Sequence, residues 1–246
     1  DVFRDAVTPN DAFFVRYHLS DIPQIDAAKW TLNVGGATPL RLSLNDLKTA
    51  FEQVEITAVC QCSGNRRGLS QPHVPGVEWG YGAMGNARWK GVRLKDVLAR
   101  AGLPGDAVEI ILNGADSGAS DKTPDFVKSL PVWKATDPNT IIALEMNGEP
   151  LPSWNGFPAR LVVPGWTATY WMKHLTEITP SSKPFDGFWM KSAYRVPLGL
   201  FPSIDRFSSQ ETPANTPITE IMVNSLITAP SDGAKLRRGR SFNISG

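Results

Sequence analysis

Residues 58–68 read AVCQCSGNRRG and combine both cysteines of the chain with a pair of arginines. An apolar stretch leads to Cys62, and Arg66 and Arg67 follow within five residues. Nearby cations favour the thiolate, which is the form of cysteine that binds a soft metal or attacks an electrophile. A second interpretation stays open, in which two small cysteines are buried in a core beside solvated arginines. A disulfide between Cys60 and Cys62 is not expected, because it would close a very small, strained loop.

Two further clusters place cations beside aromatic residues. In residues 13–19, FFVRYHL, a strand would put Arg16 and His18 on one face, and arginine binds an oxyanion through parallel N–H donors. The alternative there is an edge strand with a solvated arginine and a hydrogen-bonded histidine. The third cluster covers residues 155–173 and continues at 191–195. Its mixture of rings and cations fits a buried anionic cofactor better than nucleic acid, because the chain has no basic stripe.

Charge and motif spacing exclude several classes of protein. The chain carries 25 basic and 24 acidic residues, a formal net charge of +1, whereas general binders of nucleic acid or acidic membranes need an excess of cations. The histidines at 18, 73 and 174 are scattered, and HExxH, paired CxxC and CxxCH motifs are absent. The turn GADSG at residues 114–118 lacks the glycine spacing of a nucleotide site. No run of 18 apolar residues occurs, and the amino terminus lacks the basic-then-apolar pattern of a signal peptide. We therefore expect a soluble chain whose signal peptide has been removed if the chain is exported.

The elements that must position these clusters are short. Apolar residues at helical spacing predict helices over residues 43–51 and 94–101, with a serine before the first and Gly102 after the second. Apolar runs predict strands at residues 30–34, 54–60, 108–112, 141–145 and 160–163. Long loops rich in Gly, Pro and Trp cover residues 63–90, 114–131 and 180–217. Ordered loops of this length commonly line a functional site.

The chain changes character near its carboxyl end. Residues 212–217 contain two prolines and resemble a linker. Short strands, a turn at residues 231–233 and a final strand at 242–245 are predicted beyond it, but some 30 residues are too few to build a core alone. We therefore expect an α+β domain over residues 1–216 and the beginning of a second, β-rich domain over residues 217–246.

Across these clusters the sequence resembles the sulfite oxidase family of molybdopterin enzymes, and within it the bacterial sulfite dehydrogenases. The resemblance covers nearly the whole chain through an ordered series of motifs: FFVRYH at 13–18, CSGNRRG at 62–68, GVEW at 76–79, ARWKGVRL at 87–94, EMNGEPLP at 145–152 and NGFPARLVVPG at 155–165. It implies a molybdopterin-binding domain of mixed β-sheets, short helices and long loops over 1–216. It further implies that residues 217–246 begin a truncated immunoglobulin-like dimerisation domain.

The resemblance also implies a role for each matching residue. Cys62, rather than Cys60, corresponds to the molybdenum ligand, beside the dithiolene of a single pterin. The substrate pocket is expected to contain Arg16, Arg67, Trp79 and Tyr194. Molybdopterin is expected to contact Arg16, Tyr17, His18, Asp116, Asn155, Arg160, Trp171, Met172 and Lys173. Asn155 stands where the family often has histidine, and no role follows for Cys60.

In function, the resemblance implies a sulfite dehydrogenase that oxidises sulfite to sulfate at molybdenum and passes single electrons to a c-type cytochrome. It also implies a periplasmic location after removal of a signal peptide, and a homodimer or a heterodimer with a cytochrome subunit. Neither nucleic acid nor a membrane is expected as a partner. Two alternatives stay open: a reductase of sulfoxides or other oxyanions with the same fold, and a non-enzymatic binding module.

Overall fold

A computed structural model describes residues 3, 5–20, 22–120, 122–200 and 207–246. The described chain is mixed α+β, as expected, with short helices and several sheets. Residues 121 and 201–206, which fall in two of the predicted long loops, lie outside the described residues. The strands are β1 (Thr31–Val34), β2 (Leu40–Ser43), β3 (Gln53–Gln61), β4 (Met84–Arg93), β5 (Glu109–Gly114), β6 (Lys128–Pro131), β7 (Ile141–Met146), β8 (Glu149–Pro150), β9 (Arg160–Val162), β10 (Leu175–Ser181), β11 (Arg195–Pro197) and β12 (Asn215–Pro217). The α-helices are α1 (Leu44–Thr49), α2 (Leu94–Arg100), α3 (Val132–Ala135) and α4 (Phe188–Lys191).

Two five-stranded sheets form the framework. The first has the order β2-β1-β10-β5-β6, and all its pairings are antiparallel except β1 with β10. The second has the order β3-β4-β7-β8, with β9 also paired to β7. All five predicted strands are present within a few residues of their expected bounds. Among the described residues, no helix combines the length and apolar character that a membrane span requires.

Both predicted helices are confirmed, and their ends follow from local chemistry. Ser43 and Asp46 form a reciprocal capping box at the start of α1, in which the Asp46 amide donates to the Ser43 hydroxyl at 3.1 Å. In α2, Leu94, Val97 and Leu98 are fully buried at the spacing of one helix face. These helices pack on the sheets, and neither of them contains a predicted site residue.

Residues 13–19 are not a strand, which corrects the expectation from their aromatic pattern. The segment is anchored at its ends by the buried side chains of Phe13 and Leu19. Phe13 packs edge to face on Trp89 of β4, and a Cβ on Gly85 would lie only 2.5 Å from the Phe13 ring. Because strand pairing is missing, side chains of consecutive residues need not alternate between two faces.

The predicted linker at residues 212–217 is also corrected. Its end forms β12, which pairs antiparallel with β11, and Arg195 joins the two strands by donating to Asn215 Oδ1 at 2.6 Å. The turn at residues 231–233 is confirmed by a hydrogen bond from the Ala234 amide to the Ser231 carbonyl. No strand forms at residues 242–245 in the described chain, where Ser245 makes only an isolated bridge to Ala229. A strand needs a continuous neighbour to satisfy its backbone groups, and this stretch lacks one.

Candidate functional site

A partly enclosed cavity, here called the inner pocket, lies where residues 13–18, the end of β3 and the loop before β10 meet. The inner pocket is lined by eleven of the predicted site residues: Arg16, Tyr17, His18, Cys62, Asp116, Asn155, Arg160, Trp171, Met172, Lys173 and Tyr194. Residues far apart in sequence, from 16 to 194, thus converge on one cavity.

The two cysteines both line the inner pocket but lie in different surroundings. Cys60 is 1% exposed within β3, and burial raises the pKa of its thiol to about 11, although Arg160 lies 3.9 Å from the sulfur. Cys62 follows the last residue of β3 and is half-buried. Its sulfur accepts a 3.4 Å contact from the Gly64 amide. Cys60 is therefore a neutral core thiol, and Cys62 is the cysteine placed to meet a ligand.

Arg160 is a buried cation held by main-chain oxygens. Its guanidinium donates to the carbonyls of Asn155 at 2.9 Å and Trp171 at 3.3 Å, and it lies 5.1 Å from the Trp89 ring centroid. Gly156 allows the backbone to approach Arg160 closely, since a Cβ there would lie 3.1 Å from the Arg160 Cβ. Its φ of 108° is also one that glycine adopts readily. The Nε of Arg160 is buried without a partner in the described part of the chain. A buried charge with a free donor is costly alone and favours an anionic ligand.

Lys173 supplies a second cation to the inner pocket. Its Nζ donates to the Arg16 carbonyl at 2.8 Å and lies 3.1 Å from the centroid of the Tyr17 ring. Burial, and after it the neighbouring Arg160, lower the pKa of Lys173 to about 6, while Asp116 opposes the shift. Burial also raises the pKa of the Asp116 carboxyl. An anion bound here would favour the charged ammonium and so be bound more tightly by it.

His18 and Tyr194 form a hydrogen-bonded pair on another wall of the pocket. The His18 ring stacks on Phe126 with centroids 3.8 Å apart and planes 7° apart, and its Nε2 contacts the Tyr194 hydroxyl. Burial and then neighbouring cations, first among them Arg16, lower the pKa of His18 to about 3. Burial likewise raises the pKa of Tyr194. Both side chains are therefore neutral near pH 7 and act as hydrogen-bonding groups.

The two arginines predicted for the substrate pocket are separated. Arg16 lines the inner pocket, and its guanidinium has no hydrogen bond or ion pair with any described residue. Arg67 lines a neighbouring, more open cavity, here called the outer cavity, and donates to the Val77 carbonyl at 3.3 Å. Tyr194 and Ser63 line both. The two cavities therefore adjoin at Ser63 and Tyr194.

Trp79, the remaining residue predicted for the substrate pocket, does not line the inner pocket. Its ring packs edge to face on Phe14 with centroids 6.5 Å apart, and Phe14 lines the pocket. Trp79 thus contacts Phe14, a residue that lines the pocket, without lining the pocket itself.

Sequence reasoning missed several residues of the site. Ser63 and Thr169 line the inner pocket, and each has a buried hydroxyl without a partner among the described residues. Phe126 forms the surface on which His18 stacks. Ser63 could have been found from its place beside Cys62, whereas the sequence around Thr169 and Phe126 carries no such signal. Together with Arg160 Nε, the two hydroxyls are three buried polar atoms that a ligand rich in hydrogen-bonding groups would satisfy.

Comparison with known proteins gives a consistent result. Residues 18–189 match the family described as oxidoreductase molybdopterin binding domain. The chain is 38% identical over 242 residues to mitochondrial sulfite oxidase of Homo sapiens, which covers 95% of this chain and 43% of that protein. It is 32% identical over 234 residues to a nitrate reductase [NAD(P)H] of Hordeum vulgare, covering 91% of this chain and 26% of that protein. The chain thus spans less than half the length of either relative.

A similar fold occurs in a solved structure. The chain superposes on the sulfane dehydrogenase SoxCD from Paracoccus pantotrophus with a TM-score of 0.76 and 27% identity, covering 96% of this chain and 57% of that chain.

Proposed function

This chain belongs to the family of oxidoreductase molybdopterin-binding domains, and from that premise we propose that it binds molybdenum–molybdopterin and oxidises sulfite to sulfate. The observation that carries the proposal is the inner pocket. There the half-buried thiol of Cys62 lines the same cavity as the basic side chains of Arg16, Arg160 and Lys173. None of the three forms an ion pair with a carboxylate of the described chain, so all three are available to bind an anionic cofactor and an anionic substrate, which would favour the charged form of Lys173.

The residues of the inner pocket fit this cofactor. Cys62 offers a sulfur ligand of the kind that binds soft metals. The unpartnered Arg160 Nε and the hydroxyls of Ser63 and Thr169 offer donors to the polar groups of a pterin and its phosphate, and Lys173 adds a positive charge. When bound, the cofactor supplies the two-electron redox chemistry, and the protein supplies binding, orientation and electrostatics.

Substrate binding is proposed to use the two cavities in sequence. Arg67 in the outer cavity attracts the sulfite dianion, and Arg16 in the inner pocket holds it through its uncommitted guanidinium. We assign the ring proton of neutral His18 to Nε2, which then donates to the Tyr194 oxygen. The Tyr194 hydrogen is left free to bind the anion, and such preorganised donors in a poorly hydrated site stabilise developing charge.

The proposal extends to the remaining properties implied by the resemblance. A c-type cytochrome is proposed as the electron acceptor, in a periplasmic dimer or in a heterodimer with that cytochrome. Residues 217–246 are proposed as the start of an immunoglobulin-like domain. The support for these assignments is the similarity of the six sequence motifs to bacterial sulfite dehydrogenases.

The test is a cofactor analysis combined with assays of three substrates. The purified protein is analysed for molybdenum and for the fluorescence of oxidised pterin, and sulfite is supplied with ferricytochrome c. Nitrate and methionine sulfoxide are supplied in parallel with a reduced dye, because nitrate reductase is among the relatives. Sulfite-dependent cytochrome reduction is expected. Activity on nitrate or sulfoxide alone would identify a reductase, and a protein without molybdenum or pterin would refute the cofactor assignment.

A further inference from the structure

Lys128 is a buried lysine next to the site that the proposed mechanism does not use. It lies in β6, its side chain is 0% exposed, and no described carboxylate forms an ion pair with it. Its Nζ donates to the Trp189 carbonyl at 2.6 Å. The same nitrogen lies 4.7 Å from the ring centroid of Tyr170 and 5.5 Å from that of Tyr194. Burial lowers the pKa of Lys128 to about 7, so the buried ammonium is costly and calls for an explanation.

The segment that Lys128 contacts carries Tyr194 in an unusual conformation. Tyr194 has φ of 56°, in the left-handed region that residues other than glycine seldom adopt. Such a conformation persists only where the surroundings impose it. Two cations hold the preceding helix α4: Lys128 binds the Trp189 carbonyl, and Arg195 binds the Met190 carbonyl at 2.8 Å. Lys128 therefore acts on the backbone that leads into Tyr194.

Lys128 also acts on the Tyr194 ring. A cation near the face of a phenol is attracted to the ring, and in a poorly hydrated site the attraction is strong. Positive charge there stabilises the partial negative charge that the phenol oxygen gains when its hydrogen is donated. His18 contacts the hydroxyl, while Lys128 lies against the ring.

We propose that Lys128 is a positioning residue for Tyr194, which it orients through α4 and strengthens as a hydrogen-bond donor to the anion in the inner pocket. This inference rests on the proposed function. Lys134 offers a contrast: it is also buried, at 6% exposure, but it pairs with Asp137 at 2.9 Å. A lysine with a carboxylate partner needs no other role, whereas among the described residues Lys128 contacts a carbonyl and two rings.

The test is a double-mutant cycle with Lys128→Met, Tyr194→Phe and their combination. The kcat and KM for sulfite are measured at pH 6, where Lys128 is charged, on enzyme corrected for molybdenum content. Lys128→Met is expected to lower kcat/KM roughly tenfold, the size of a lost charge-assisted contact. In the Tyr194→Phe background the same change is expected to have less than about a twofold effect, because the hydroxyl on which Lys128 acts is gone. Equal losses in both backgrounds would overturn the proposal.

A second measurement does not depend on turnover. In protein labelled with tyrosine ¹³C at Cζ, the Tyr194 resonance is identified by its loss in Tyr194→Phe. Lys128→Met is expected to shift this resonance, whereas the control Lys134→Met leaves it and kcat/KM unchanged while lowering Tm. An unshifted Tyr194 resonance in folded Lys128→Met would contradict the proposal.

Two outcomes remain to be separated. If Lys128→Met does not fold, Lys128→Gln takes its place in the cycle, and unfolding of both neutral variants would overturn the proposal by making Lys128 a structural residue. A wild-type protein that does not oxidise sulfite would refute the proposed function instead, and the ¹³C comparison would still test the contact between Lys128 and Tyr194.

Discussion

The inner pocket and the outer cavity hold their cations in different ways. Arg160 and Lys173 are buried in the inner pocket, and main-chain carbonyls at 2.8 to 2.9 Å fix their positions. In the outer cavity, Arg66 and Arg67 lie on an irregular loop and are only half-buried. Each makes one hydrogen bond to a carbonyl, Arg66 to Ser225 at 3.0 Å and Arg67 to Val77 at 3.3 Å.

This difference indicates what each cavity binds. Donors that are fixed before a ligand arrives lose little entropy on binding and suit a ligand that stays. Donors on a half-exposed loop, each held by a single hydrogen bond among the described residues, suit an anion that enters and leaves. Tyr194 lies at the junction and lines both cavities. We infer that the inner pocket retains the cofactor and that the outer cavity exchanges substrate and product.

The largest effect is expected from the cysteines of the inner pocket. Cys62→Ser should abolish turnover, because a hard hydroxyl replaces the soft sulfur proposed to bind molybdenum. Cys60→Ser should keep most of the activity, since its thiol is neutral and buried in β3. Sulfite-dependent cytochrome reduction and molybdenum content are measured for both. Equal losses in the two variants would make the assignment of Cys62 as ligand unsafe.

An intermediate effect is expected from the arginines. Arg67→Met should raise the KM for sulfite about tenfold to a hundredfold, corresponding to roughly 1.5 to 3 kcal/mol for a charge-assisted contact, with molybdenum content unchanged. Arg16→Met should raise KM similarly and also lower cofactor retention, because Arg16 lines the inner pocket. The exposed Arg237 provides the control, as Arg237→Met should leave both quantities unchanged. Unaltered KM values in both site variants would remove these residues from the substrate path.

The smallest effect concerns the stability of protein prepared without cofactor. Lys173 has a folded-state pKa of about 6 and an unfolded value near 10.4, so between these values the unfolded chain binds more protons and stability rises with pH. Raising the pH from 7 to 8 should increase the free energy of unfolding. Tm should rise by a few degrees as a result, roughly 2–4 °C for each kcal/mol of added stability. Above about pH 8 the buried Cys60 thiol acts in the opposite sense, because its pKa is raised to about 11.

The comparison of variants isolates Lys173 in this experiment. Lys173→Met should reduce the rise in Tm between pH 7 and 8, whereas Lys191→Met, at an exposed position, should preserve it. Lys128 shifts in the same direction and accounts for a residual slope. An identical pH dependence in Lys173→Met and the parent protein would show that folding does not lower the pKa of Lys173.

Much of the framework and the membership of the site could be predicted from the sequence. Capping residues and apolar spacing define α1 and α2, because a helix satisfies its hydrogen bonds within a few residues. Apolar runs define the five expected strands for a similar local reason. Resemblance to a family selected eleven residues that the fold brings into one pocket, although they extend from Arg16 to Tyr194.

What sequence alone determined is therefore local structure and the chemical types gathered at the site. Only the tertiary structure decided that Cys60 is a core thiol while Cys62 is open to a ligand, that Trp79 stands behind Phe14, and that Lys128 lies against Tyr194. Residues 13–19 illustrate the physical reason. Their form depends on a hydrogen bond from Lys173 to the Arg16 carbonyl, 157 positions away, and no local spacing of side chains encodes a contact of that range.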